Sequence, residues 1–216
     1  DWEGYVKLTK ALGGKIQMTS RLPINTKQVL RDVYTPGVAR VCLAIEEDPS
    51  KAWDYTAIGN TVAVITNGTA ILGLGDIGPL AGLPVMEGKA ALFASLVGIN
   101  GIPILMTEKD PKRVVDVIMA IEQSFGAIQL EDFAAPHCFE IESELRRLLK
   151  KPVLHDDQHG TAVVALAALH NAANRVGRRL EDSVIGQIGL GAAGLGIVRL
   201  LRAHGCSRVL GADRDP

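Results

Sequence analysis

Two doublets of adjacent carboxylates, Glu131-Asp132 and Asp156-Asp157, each follow a short apolar run that reads as a β-strand, with one helix's worth of chain between them. Strands of a parallel sheet deliver their C-terminal ends to one edge, where open α/β sheets bind ligands. Four acidic side chains at such an edge repel one another unless protons or a cation neutralise them, and hard oxygen donors suit Mg²⁺ or Mn²⁺. Either doublet alone could instead cap the helix that follows it or lie solvated on the surface. Repetition at two equivalent strand ends is what favours a metal.

A second constellation is Gly189-Leu-Gly191-Ala192-Ala193-Gly194, between a predicted strand and a predicted helix, with Asp213 at the end of the next strand, 19 residues after Gly194. Glycines there permit the turn and the approach of a pyrophosphate, the helix N-terminus supplies an electropositive end, and the acidic residue can hold a ribose hydroxyl. The bland alternative is a glycine-rich turn with a solvated aspartate. Asp213 favours NAD, while the neighbouring Arg214 would suit the extra phosphate of NADP.

Tyr34, in Tyr34-Thr-Pro-Gly37, reads by itself as a packed tyrosine ahead of a turn. Lys89 lies in a largely apolar helix, where it could reach out to water or, if desolvated or set beside a cation, lose its proton readily enough to act as a base. His155 and His159 flank the second doublet without the H-E-x-x-H zinc pattern, so both read as supporting rather than ligating. Neither a G-x-S-x-G elbow nor a P-loop lysine signature occurs.

The elements that must position these groups alternate. Residues 1–60 read as helical, with helices at Trp2 to Ala11, after Asn25-Thr26, and at Val38 to Glu47. A strand at Val62 to Thr66, an Asn67-Gly68 turn, a glycine-rich stretch and a helix from Val85 to Gly98 follow. Strands at 102–106, 127–130 and 153–155 then alternate with helices at 111–124, 139–150 and 161–176, the spacing of βαβ units. A last βαβ unit occupies 183–212, which predicts a first domain over 1–179 and the start of a Rossmann-type domain over 180–216. The fold class is therefore α/β: a helical N-terminal segment, a parallel βαβ-rich domain, and the first part of a dinucleotide-binding domain.

With 47% hydrophobic residues among 216, the chain can fill a core, and 23 Lys and Arg against 24 Asp and Glu, without a long basic run, argue against a nucleic-acid partner. Three scattered cysteines, Cys42, Cys138 and Cys206, fit buried thiols in a reducing compartment. No uninterrupted apolar run reaches the length of a membrane span and no signal peptide is evident, so the expectation is a cytoplasmic protein without a membrane partner. The start at Asp1 and the end at Pro216, soon after the glycine-rich motif, suggest a chain cut from something larger or completed by a partner.

Taken together the chain resembles the malic enzymes, especially the shorter bacterial type. The resemblance rests on Val33-Tyr-Thr-Pro-Gly-Val-Ala-Arg-Val-Cys42, Ile71-Leu-Gly-Leu-Gly-Asp-Ile-Gly-Pro79, Pro84-Val-Met-Glu-Gly-Lys-Ala90, Gln129-Leu-Glu-Asp-Phe133 and His155-Asp-Asp-Gln-His-Gly-Thr-Ala162, in family order and ahead of the dinucleotide motif. It implies Glu131, Asp132 and Asp157 as ligands of Mg²⁺ or Mn²⁺, Lys89 as general base, Tyr34 as general acid and Asp156 as a carboxylate assisting the base. It further implies oxidative decarboxylation of L-malate to pyruvate and CO₂ with reduction of NAD or NADP, in a homo-oligomer, a dimer or larger. A malolactic reaction releasing lactate, a metal-independent Rossmann dehydrogenase and a non-catalytic assembly module are the competing expectations. Thr69-Ala70-Ile71 stands where larger eukaryotic members carry a substrate-binding arginine.

Overall fold

The computed structural model describes residues 2–214, so the two chain ends on which the idea of a truncated chain partly rests lie outside it. Its centre is a four-stranded, wholly parallel sheet in the order β2-β1-β3-β4, formed by β1 (Thr61–Thr66), β2 (Asn100–Leu105), β3 (Ala127–Leu130) and β4 (Val153–His155). β1 is rich in β-branched residues and is fully buried from Ala63 to Thr66, as a central strand covered on both faces must be.

One face is covered by α6 (Pro111–Ile121) and α7 (His137–Leu148). Val114, Val115 and Ile118 from the first and Cys138, Ile141 and Leu145 from the second pack on Ala63, Ile65, Ile128 and Leu130. Asp110 caps α6 by accepting the Arg113 N–H, and Pro111 occupies the first turn, where a missing N–H costs nothing. The other face is covered by α5 (Pro79–Leu92), which packs on β1 and β2 through buried Met86 and Ala90. This helix continues as a π-helical turn, Phe93–Val97, and stops at Gly98 in the left-handed conformation.

Two helices begin earlier than the sequence suggests. α5 starts at Pro79, a good first residue, and carries Pro84 inside it at the cost of one intrahelical hydrogen bond. α8 (Asp156–Arg175) starts directly off β4, not at Thr161, and so holds both carboxylates of the second doublet in its first turn, where the helix dipole favours negative charge. One helix, Pro79–Val97, with a mean hydropathy of 1.4, is long and apolar enough to span a bilayer by length and composition alone. Glu87 and Lys89 interrupt its run, so no uninterrupted apolar stretch of that length exists, and here it lies along the sheet.

A second, smaller core joins α8 to α9 (Ala192–Ala203), β5 (Ile185–Ile188) and β6 (Val209–Ala212), the two strands pairing in parallel. Ala173, Leu180, Leu201, Cys206 and Val209 are its buried residues, with Leu166 and Leu169 of α8 packed against them. It therefore draws on both sides of residue 180. The N-terminal arm is different: α1 (Trp2–Leu12), α2 (Lys27–Val33) and α3 (Val38–Glu47) bury no residue and leave Trp2, Tyr5, Leu8, Leu12 and Leu43 exposed. α4 (Ala52–Tyr55) leads into β1. Lys15 ties the arm to α5 through its N–H on Glu87 (3.0 Å) and its Nζ on the Pro84 carbonyl (3.0 Å).

Candidate active site

Parallel pairing sets the two doublets side by side. Leu130 of β3 is in register with His155 of β4, so Glu131-Asp132 and Asp156-Asp157 leave the sheet from adjacent strand ends. Asp132 adopts a left-handed backbone (φ 57°), a conformation costly for most residues but more accessible to aspartate and asparagine. That turn aims the Asp132 N–H at Asp157 Oδ2, 2.9 Å away.

Lys89 arrives from α5 and bridges the doublets. Its Nζ donates to Asp156 Oδ2 at 2.6 Å and lies 3.3 Å from Glu131 Oε1. Gly160, one turn further along α8, is what leaves room for this carboxylate, since a Cβ there would sit 2.4 Å from Asp156 Oδ1. Burial is the largest influence on the amine and favours loss of its proton, as the sequence suggests. The hydrogen bond and charge of Asp156, with the charge of Glu131, outweigh it and hold the ammonium form more firmly than usual.

The carboxylates divide into two kinds. Burial pushes Glu131 up to about 7, helped by the charges of Asp156 and Asp157 and opposed by Lys89. Burial and then the charge of Asp157 push Asp132 up to about 6. Asp157 goes the other way: burial would raise it, but the His155 ring 3.1 Å away, the hydrogen bond from the Asp132 N–H and the charge of Lys89 hold it below the usual range. Gln129 Nε2 donates to Glu131 Oε2, while Asp132 Oδ2 is buried with no hydrogen-bond partner.

Among the described residues no three His, Cys, Asp or Glu side chains stand as a ready-made metal shell, because Glu131 is turned to Lys89 and Asp157 to a backbone N–H. The donors still suit a hard divalent cation: carboxylate oxygens on converging strand ends, one of them buried and orphaned. Tyr34 is not brought to this cluster. It caps the C-terminal end of α2 on the exposed arm, 67% accessible, and no hydrogen bond found among the described residues joins it to the others.

The predicted glycine motif forms the turn between β5 and α9. Gly189 ends the strand's turn, Gly191 precedes α9, and Ala192, Ala193 and buried Gly194 form the helix's first turn. Asp213, just after β6, reaches back so that Oδ2 accepts the Leu190 N–H and Oδ1 the Arg214 N–H, each at 2.6 Å, and these bonds hold its carboxyl below the ordinary range. α9 crosses close to the doublets, for a Cβ on Gly196 would lie 2.4 Å from the Gln158 carbonyl oxygen.

One participant is not evident from the motifs. Glu142 of α7 is buried, its Oε1 accepting from the His155 N–H (3.1 Å) and paired with His159 Nε2 (2.7 Å). The available signal is its position: with Cys138, Ile141 and Leu145 it occupies the apolar stripe of its helix, where an ionisable residue is costly unless paired.

A lysine held between carboxylates at a parallel sheet edge, followed by a βαβ unit with a glycine turn and a terminal aspartate, defines a two-part α/β protein of the dinucleotide-binding class. Residues 13–112 match the model of the malic enzyme N-terminal domain and residues 158–214 that of the malic enzyme NAD binding domain. The chain belongs to the malic enzyme family. It is 55% identical over 94% of its length to the NAD-dependent malic enzyme 1 of Bacillus subtilis and 49% identical over 90% to an NADP-dependent malic enzyme of Haemophilus influenzae. The crystal structure of an NAD-dependent malic enzyme from Thermotoga maritima superposes on 97% of the chain with a TM-score of 0.93 at 42% identity. The chain spans only 46%, 26% and 55% of those three proteins, respectively.

Proposed function

We propose that the protein to which this chain contributes the lysine–carboxylate cleft oxidatively decarboxylates L-malate to pyruvate and CO₂, reducing NAD, or NADP, with Mg²⁺ or Mn²⁺. The observation that carries the reading is Lys89 held between Asp156 and Glu131, beside the orphaned oxygen of Asp132. Glu131, Asp132 and Asp157 would hold the cation, which when bound supplies Lewis-acid stabilisation of negative charge on the substrate oxygens. The nicotinamide accepts hydride, and the glycine turn with Asp213 is the part of its site that this chain provides.

Lys89 takes the proton of the C2 hydroxyl as hydride leaves C2. For that the hold of the two carboxylates on its charge must weaken: neutralisation of Glu131 would remove one of them, and Asp156, the stronger, would have to take up the proton. Asp156 orients the amine at 2.6 Å and can share its proton. After CO₂ departs from the resulting 2-oxo acid, C3 needs a proton, and Tyr34 is the proposed donor; the exposed arm would have to close on the cleft to deliver it. A homo-oligomer suits that arm, whose helices bury nothing within one chain. We further infer a cytoplasmic enzyme without nucleic-acid or membrane partners, on charge balance and on the packing of α5 along the sheet.

The test is formation of NADH or NADPH from L-malate with Mn²⁺, by this chain and by a longer one that completes the dinucleotide domain, with the organic product identified. Metal-dependent cofactor reduction with pyruvate as product is expected from the longer chain. Lactate would identify the malolactic reaction instead, and malate oxidation indifferent to chelators would remove the metal from the scheme.

A further inference from the structure

His155, Gln158 and Glu142 form a buried chain of hydrogen bonds that the proposed reaction does not use. Glu142 Oε2 lies 3.1 Å from Gln158 Nε2, and a carboxylate only accepts, so the amide presents its NH₂ group towards it. The same Nε2 lies 3.1 Å from His155 Nδ1. An NH₂ group only donates, so Nδ1 is the accepting nitrogen and the ring proton belongs on Nε2. That Nε2, on a ring with no exposed surface, has no partner in hydrogen-bonding geometry and faces Asp157 Oδ2 at 3.1 Å. The same oxygen accepts the Asp132 N–H.

We infer that His155 is a positioning residue: Glu142 and Gln158 fix its tautomer, and the Nε2–H so placed attracts Asp157 Oδ2 across 3.1 Å and, with the Asp132 N–H, keeps that oxygen inward so that the other carboxylate oxygen is turned to a divalent cation. Its effect on metal rests on the proposed reading of Asp157 as a ligand; its tautomer does not. Groups that orient a metal-binding side chain commonly contribute 10–100-fold to metal affinity, and a carboxylate fixed at one oxygen has less freedom to lose when it ligates.

The experiment has two readouts on the full chain. In metal-free protein, ¹⁵N NMR of the histidine rings should show His155 with its proton on Nε2, and a proton on Nδ1 would overturn the inference. Mn²⁺ titration followed by electron paramagnetic resonance should then show binding weakened roughly 10–100-fold in His155→Leu. Most of it should be recovered in His155→Gln, whose amide can place a donor near the lost Nε2. Unchanged affinity in His155→Leu, against a parent that binds Mn²⁺, would overturn the orienting role alone. A parent that binds no Mn²⁺ would overturn the ligand reading and the orienting role with it, and the tautomer result distinguishes that case. If His155→Leu does not fold, Gln158→Leu serves: it should mix the two tautomers and weaken Mn²⁺ binding, and a parent-like result in both measurements would overturn the proposal.

Discussion

Lys89 and Asp156, 67 residues apart in sequence, meet in a 2.6 Å hydrogen bond whose geometry depends on the absence of a side chain at Gly160. Gly160→Ala would place a methyl 2.4 Å from Asp156 Oδ1, and the carboxylate, the end of a side chain, would swing off the lysine rather than disrupt the backbone. Alanine is better than glycine inside a helix by about 0.8–1 kcal/mol, so the fold should not suffer. The expected variant melts within a few degrees of the parent yet loses at least about tenfold in kcat, equivalent to about 1.4 kcal/mol. Parent-like turnover would show that Asp156 does not orient the base.

Asp132 separates backbone from charge. At φ 57° asparagine is tolerated and alanine is not, the left-handed region costing most residues about 1–2 kcal/mol. Asp132→Asn should therefore be as stable as the parent without metal, or more so, since it removes a buried carboxyl pushed up to about 6. Asp132→Ala should lose about 1–2 kcal/mol in urea denaturation. Both should lose most Mn²⁺ affinity. Equal stability of the two would mean that the strained turn relaxes at little cost.

Glu131 makes stability depend on pH. Its folded value of about 7 exceeds the roughly 4.3 of an unfolded glutamate, so between those limits the folded state binds a proton that the unfolded state has released. The contribution is fully present below about pH 4 and is lost as pH rises through about 7. In chelator, the parent should lose stability relative to Glu131→Gln between pH 5 and pH 7.5. Parallel denaturation curves across that range would show that the carboxyl titrates alike in both states.

The carboxylate doublets were legible because they follow apolar strands, and β3 and β4 do lie side by side. What Lys89 would experience was not, since burial and two carboxylates act on it in opposite directions and both partners come from distant strand ends. The predicted starts of α5 and α8 fall just after Pro84 and Gly160, yet both residues lie inside their helices, and Gly160 makes room for Asp156. Glu142 belongs to no motif, and only the face it shares with Cys138, Ile141 and Leu145 marks it. Tyr34 carries no local signal of where its arm goes, because no residue of the arm's three helices is fully buried in the described structure.

Asp213 should set the choice between nicotinamide cofactors. Its carboxylate is held at the glycine turn by the Leu190 N–H and kept ionised, where it can accept from ribose hydroxyls and repel a 2′-phosphate. In a chain completing the dinucleotide domain, Asp213→Ala removes both effects. Hydrogen bonds to a charged group contribute about 1.5–3 kcal/mol, so KM for NAD should rise roughly 10–100-fold. KM for NADP should stay level or fall, because the repulsion is gone and Arg214 remains beside the site. An equal rise for both cofactors would mean that the carboxylate serves only to shape the turn through Leu190, and that preference is decided further along the chain.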